Sequence, residues 1–157
     1  MEQLELRVLK QMENYVSPFD HGTEGFKDRW WHDSIRIGTI AESEALDIAY
    51  VQLLKDGIEI GRAEITCWDL GPGYVGITTA VRCRMIWYFE INSGFRRQGY
   101  GKKFTALLTE KYSELPLIAF SKGADDFWAG IGWYFYPPKD KEETNYMKLF
   151  ASREISN

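Results

Sequence analysis

Between residues 46 and 69 the apolar positions fall into two runs, LDIAYVQLL (46–54) and IGRAEITCWD (60–69), separated by Lys55-Asp56-Gly57. Asp-Gly between two such runs predicts a β-hairpin. Residues 84–92, RMIWYFEIN, are apolar without a break from Met85 to Phe89, the pattern of a central strand buried on both faces. Helical spacing then takes over at Phe104, Leu107, Leu108 and Tyr112, with Pro116 beyond as a stop. Leu117–Phe120 is short and strand-like. Ala124–Ile131 reads as a short helix with Asp125 and Asp126 in its first turn, where acidic residues suit the helix dipole. Trp133–Tyr136 and Tyr146–Ala151 are the final two strands. Near the start, Leu4, Val8, Met12 and Tyr15 form a stripe that predicts a helix. Pro18, Gly22 and Gly25 break regularity after it. The order describes a mixed α/β (α+β) sheet with helices packed on it.

Composition narrows the class. A chain of 157 residues, 45% hydrophobic and 15% aromatic, has the length and apolar content of one globular domain, residues 1–157, with one core. Residues 46–151 would be that core and 1–45 a variable N-terminal region. Glu2, Glu5 and Arg7 interrupt the first ten residues, so no signal-peptide centre is expected there. No uncharged apolar stretch reaches the roughly 20 residues that span a bilayer. Cys67 and Cys83 have neither metal-like spacing nor the number for a disulfide framework. These features predict a cytoplasmic protein without membrane contact. The formal net charge of −4 works against binding a long polyanion, so no nucleic-acid partner is expected. Against that background RRQGYGKK (96–103) carries four positive charges and no negative one. A local positive patch on an acidic chain suits a small anion.

That patch lies between the central strand and a helix. Gly99 and Gly101 allow close approach of a ligand to the backbone, and the helix start adds unpaired amides and the positive end of a dipole. Arg96, Arg97, Lys102 and Lys103 supply counter-charge. A solvated basic turn would have the same composition. Arg96-x-x-Gly99-x-Gly101 after an apolar strand resembles the acyl-CoA signature of the GNAT superfamily of N-acetyltransferases, written Q/R-x-x-G-x-G/A. Downstream, Ala124-Asp125-Asp126-Phe127-Trp128-Ala129-Gly130-Ile131-Gly132-Trp133 is similar to the superfamily's A-x-x-F-Y-x-x-x-G-F segment. The resemblance covers roughly residues 46–151.

It implies a GNAT-like, mostly antiparallel sheet of about six to seven strands flanked by helices, with the central strands splayed. It also implies acetyl-CoA as co-substrate. Main-chain groups of Phe89 and Ile91 would bind the pantetheine arm and polarise the thioester carbonyl. Amides of Arg97, Gly99, Gly101 and Lys102 would hold the diphosphate, with Arg96, Gln98 and Tyr100 completing the loop and Phe127 and Trp128 bordering the cofactor. A primary amine, of a small molecule or a protein, would take the acetyl group directly while both substrates are bound. The sequence departs from the superfamily at the proton-transfer positions. Trp128 stands where members carry a tyrosine acid, and indole cannot protonate a thiolate. Met85 and Trp87 stand where others place a base. Glu90 is the nearest carboxylate, although strand alternation points it away from Phe89 and Ile91; Tyr134, with Glu64, Asp69 and Tyr136, is a further candidate on a neighbouring strand, and Glu90 and Tyr134 are taken as the catalytic pair. A non-catalytic acyl-CoA-binding module is therefore the alternative to an enzyme.

Other patterns fail on context. Gly71-Pro72-Gly73-Tyr74-Val75-Gly76 matches GxGxxG, but a β-like run follows instead of a helix, so it reads as a hairpin loop. His21 and His32 have no ligand-spaced partner, and no metal is expected. Phe19-Asp20-His21-Gly22, with Phe26 and Asp28 beyond, is similar to the opening of aminoacyl-tRNA-acetylating toxins of the superfamily, which are basic where this chain is acidic. The pattern is compatible with a homodimer.

Overall fold

The computed structural model describes residues 2–10, 18–20, 22–27, 48–121, 123–140 and 148–157. The expectations that fall on Met12, Tyr15, His21, Asp28, His32 and residues 46–47 and 146–147 lie outside them. Among the described residues seven strands form one sheet: β1 (Leu4–Leu9), β2 (Ala49–Lys55), β3 (Ile58–Leu70), β4 (Val81–Ile91), β5 (Leu117–Ser121), β6 (Tyr134–Tyr136) and β7 (Lys148–Ala151). Their order across the sheet is β1-β2-β3-β4-β5-β7-β6. Among the described residues two α-helices accompany them, α1 (Tyr100–Lys111) and α2 (Asp125–Gly130), together with a 3-10 turn at Ser93–Phe95. This is the mixed, mostly antiparallel architecture expected from the sequence.

One element differs. The helix expected from Leu4 is, over Leu4–Leu9, a strand paired antiparallel to β2 from Leu4–Lys55 to Leu9–Tyr50. Leu4, Leu6 and Val8 alternate with Glu5 and Arg7, a period of two as good as the helical stripe. The available edge of β2 decides between the two readings.

The β2–β3 hairpin closes at Lys55–Ile58. Asp56 (φ 49°) and Gly57 (φ 83°) both take left-handed backbone, as a two-residue type I′ turn requires. The register shifts between Leu53–Gly61 and Leu54–Glu59, leaving Ile60 as a bulge residue. Its carbonyl accepts a hydrogen bond from the Asn92 amide at 2.8 Å, so the bulge ties β3 to the end of β4. β4 pairs in parallel with β5 at Arg84–Leu117 and Met85–Ile118.

The chain divides into two compact units, Met1–Thr66 with Trp87–Leu107, and Cys67–Ile86 with Leu108–Asn157. In the first, Val51, Leu53, Ala63 and Ile65 are buried, and Phe104 of α1 packs on Phe89, ring centroids 5.1 Å apart. In the second, Leu70, Tyr74, Ile77, Cys83, Met85, Ile118, Tyr136, Leu149, Ala151 and Ile155 form a core. The glycine-rich stretch after Leu70 is a loop there, bridged at Tyr74 to Pro138. No helix among the described residues is long and apolar enough to cross a membrane.

Gly61 shows how closely α1 is seated. A Cβ built there would lie 3.0 Å from the Phe104 ring and 3.1 Å from Leu53 Cβ. Gly61→Val should lower stability by about 1–3 kcal/mol through overpacking, read as a fall in thermal midpoint. An unchanged midpoint would show that α1 is not held by this contact.

Candidate active site

The basic glycine loop sits where β4 ends. After Ile91, Asn92 caps the 3-10 turn by accepting from the Gly94 amide at 2.9 Å. Arg96 is extended. Arg97 then takes left-handed backbone at φ 62° and Gly99 does so at φ 83°. A non-glycine residue in that region costs about 1–2 kcal/mol, and such strain is concentrated where the chain positions a ligand. Gly99 needs its freedom for this turn, and no atom lies within 4 Å of where its Cβ would be. The face of the loop beside Gly99 is open.

The helix begins one residue past that glycine. Its first hydrogen bond is Lys103 N to Gly99 O, 3.2 Å. The amides of Tyr100, Gly101 and Lys102 therefore have no carbonyl one turn back to pair with. Ordinarily an acidic side chain in the first turn offsets these amides, but α1 has none there and carries Lys102 and Lys103 instead. Cations at the positive end of a helix are unfavourable; the arrangement makes sense if an anion completes it.

The four cations are not equivalent. Arg96 donates from Nε to Ile91 O at 2.9 Å and from Nη2 to Glu90 Oε2 at 3.2 Å. Lys103 pairs with Glu2 at 2.8 Å, and Tyr100 Oη donates to the other oxygen of the same carboxylate at 2.9 Å. The Lys103 and Tyr100 hydrogen bonds hold the Glu2 carboxyl below the usual range. Lys55 lies 5.4 Å from the Tyr100 ring centre. Arg97 and Lys102, both exposed, have no side-chain partner among the described residues. Two cations hold the loop together, and two are available to a ligand.

Glu90 is buried, with 7% of its surface exposed. Tyr88 donates to its Oε1 at 2.5 Å, Arg96 to Oε2, and the Lys27 amide to both oxygens at 3.1 and 3.3 Å. Tyr88 and Glu90 share the face of β4 opposite Phe89, as strand alternation predicts. Burial, and next the bond to Glu90, raise the Tyr88 hydroxyl well above its ordinary pKa. On the same face Arg62, fully buried, donates to Glu59 Oε1 at 2.8 Å and to Asp20 O and Thr23 Oγ1 at 3.1 Å. Its guanidinium also lies 4.1 Å from the centre of the Phe26 ring. Sequence reasoning missed both Arg62 and Tyr88. An arginine in the middle of an apolar strand was the available signal.

Phe89, Ile91 and the loop Arg96–Lys102 thus belong to one unit, as does Glu90. Phe127, Trp128 and Tyr134 belong to the other. There Trp128 is buried against Phe127 and Trp133, ring centroids 4.9 and 4.7 Å away. Asp125 anchors α2 by accepting from Ser121 Oγ and from Lys148 Nζ. Tyr134 is half exposed on β6, while Tyr136 is buried and its hydroxyl accepts from the Ile155 amide at 2.9 Å. Glu64 is buried on β3 and Asp69 pairs with Arg82 at 3.0 Å. No group of three or more His, Cys, Asp or Glu able to hold a metal occurs among the described residues.

Comparison with solved structures places this fold. The Bacillus subtilis N-acetyltransferase YlbP, in complex with coenzyme A, superposes with a TM-score of 0.61 at 11% identity, over 100% of this chain and 99% of that one. A Desulfovibrio desulfuricans protein assigned to the GNAT family matches with a TM-score of 0.59 at 12% identity, covering 95% and 98%. AtaT, complexed with acetyl-methionyl-tRNAfMet, matches with a TM-score of 0.62 at 10% identity, over 94% of each chain. No family model matches the chain, nor does any curated protein sequence. The chain has the GNAT fold, as its two ordered motifs implied.

Tyr88 and Tyr50, the latter also raised chiefly by burial, stay protonated in the folded protein when unfolded tyrosines ionise near pH 10. Their folded pKa values exceed the unfolded one, so stability is lost as pH rises above about 10. Among the nine tyrosines, these two should ionise only with unfolding, seen as phenolate absorbance rising together with loss of the folded circular dichroism signal. Their ionisation in the folded protein at pH 10–11 would contradict the burial described here.

Proposed function

We propose that the protein is an acyl-CoA-dependent N-acetyltransferase that binds acetyl-CoA at the turn from β4 into α1 and transfers the acetyl group to a primary amine. The observation that carries this reading is the first turn of α1, with unpaired amides at Tyr100, Gly101 and Lys102 beside the open face of Gly99. Those amides and that of Gly99 would hold the diphosphate, with Arg97 and Lys102 as counter-charges. Main-chain groups of Phe89 and Ile91 would orient the pantetheine arm and the thioester. In the reaction the amine nitrogen attacks the thioester carbonyl, the N–C bond forms, and the C–S bond breaks. The thiolate takes up a proton and the nitrogen gives one up, yielding an amide and free CoA.

Proton transfer is where this chain differs from the residues the resemblance implies. Three donors surround Glu90, and Trp128 is a buried indole. The reading is therefore catalysis by orientation, with solvent carrying the amine's proton. The acceptor is a small or protein-borne amine. An aminoacyl-tRNA, as the AtaT complex holds, fits less well with a net charge of −4. In addition, the buried packing of Phe19 and Phe26 on Arg62 accounts for those two residues of the toxin-like opening. The same absence of a proton donor at Trp128 supports a second reading, a module that binds acyl-CoA without transferring it.

Titration calorimetry with acetyl-CoA should give saturable binding that weakens with added salt and is lost in Gly99→Trp, whose side chain would occupy the open face. CoA release should follow with at least one member of an amine panel that includes lysine peptides, polyamines and aminoacyl-tRNA. Binding without release from any member would favour the non-catalytic reading. No binding at millimolar acetyl-CoA would overturn both.

A further inference from the structure

Residues 22–27 are attached to the end of β4 by more bonds than a surface segment needs. Asn92 Nδ2 donates to Glu24 O at 2.9 Å, the Ser93 amide donates to Gly25 O at 2.9 Å, and the Lys27 amide donates to Glu90. Gly25 lies so close to Asn92 that a Cβ would fall 2.2 Å from its Oδ1. Arg62 holds the same segment through Thr23 Oγ1 and the Phe26 ring, and the residues before it through Asp20 O and the Phe19 ring. Every one of these contacts lies within one compact unit. Two of these residues also hold the cofactor loop, since Asn92 caps the turn that leads to Arg96 and Glu90 binds Arg96.

Glu90 is the point where the two systems meet. Its carboxylate receives Arg96 of the loop, the Lys27 amide of the segment and the Tyr88 hydroxyl. Donors from the loop, the segment and β4 occupy both oxygens of this buried carboxylate, so it transmits position between them. Freezing the loop fixes the Arg96 side of the carboxylate, which lowers the entropic cost of ordering the Lys27 side. Phe104 of α1 covers the Phe89 face of β4, and the opposite face, with Tyr88 and Glu90 buried on it, packs against the segment through the Lys27 amide.

Resting on the acetyltransferase reading, we propose that Glu90 is a positioning residue that links the acetyl-CoA loop to residues 22–27. Cofactor binding then orders that segment, and ordering of the segment tightens cofactor binding by the same factor.

Amide hydrogen exchange on the full chain, with calorimetry on the same samples, tests this. In the unsubstituted protein, saturating acetyl-CoA should slow exchange of the Lys27 and Ser93 amides by about tenfold or more, a coupling within the usual range. In Glu90→Gln, acetyl-CoA should still bind, several-fold more weakly, and the slowing at Lys27 should be lost. Gly25→Ala, which forces the segment off Asn92 and leaves Glu90 in place, should weaken acetyl-CoA binding several-fold from outside the cofactor loop. It also guards against Glu90→Gln failing to fold. Calorimetric saturation without any slowing at Lys27 would overturn the linkage while leaving the acetyl-CoA site standing. So would unchanged acetyl-CoA affinity in folded Gly25→Ala. Absence of binding in the unsubstituted protein would remove the acetyltransferase reading and the linkage with it.

Discussion

The seating of Phe104 on Gly61 is the contact on which the candidate site depends. It fixes α1 against β3 with no room for a methyl group, and so fixes where the first turn of α1 lies relative to the end of β4. Everything proposed for the cofactor follows from that placement. The bulge at Ile60 works in the same direction, because its displaced carbonyl holds the Asn92 amide and sets the start of the turn into Arg96. A strand end, a tight turn and a helix start are brought together by apolar packing on one side and main-chain hydrogen bonds on the other.

The loop itself breaks local rules. It places lysines at the positive end of a helix with no acidic residue in the first turn, and it holds Arg97 in left-handed backbone. Two of its four cations are neutralised by Glu90 and Glu2, which keeps the loop in shape, and two are left over. Departures of this kind gather where a protein binds something. An anion small enough for one helix start and able to sit against a glycine with an open face would suit this turn. A CoA diphosphate has these properties.

Much of this was legible in the sequence because its physical causes are local. Asp56-Gly57 specified its hairpin, the unbroken run from Met85 to Phe89 its central strand, and Gly99 the open turn before α1, whose first turn contains the second glycine, Gly101. The two ordered motifs gave the GNAT fold. Leu4–Leu9 was not legible, since its residues satisfy both a helical stripe and strand alternation, and the free edge of β2 decides between them. The Glu90 cluster was legible only in part. Strand alternation put Glu90 on the face away from Phe89, but its partner Lys27 comes from a distant segment that no spacing rule joins. The division of the four cations into committed and available pairs depends on Glu2, about a hundred residues away in sequence, and was likewise out of reach.

The most direct test is an NMR titration of the 15N-labelled protein with acetyl-CoA, following the backbone amides of Gly99, Tyr100, Gly101 and Lys102. The account predicts that these four shift together and saturate at the same ligand concentration, with Arg97 beside them. Saturable binding that leaves these amides unmoved, or that shifts residues elsewhere in the chain instead, would contradict the claim that the start of α1 is the cofactor site.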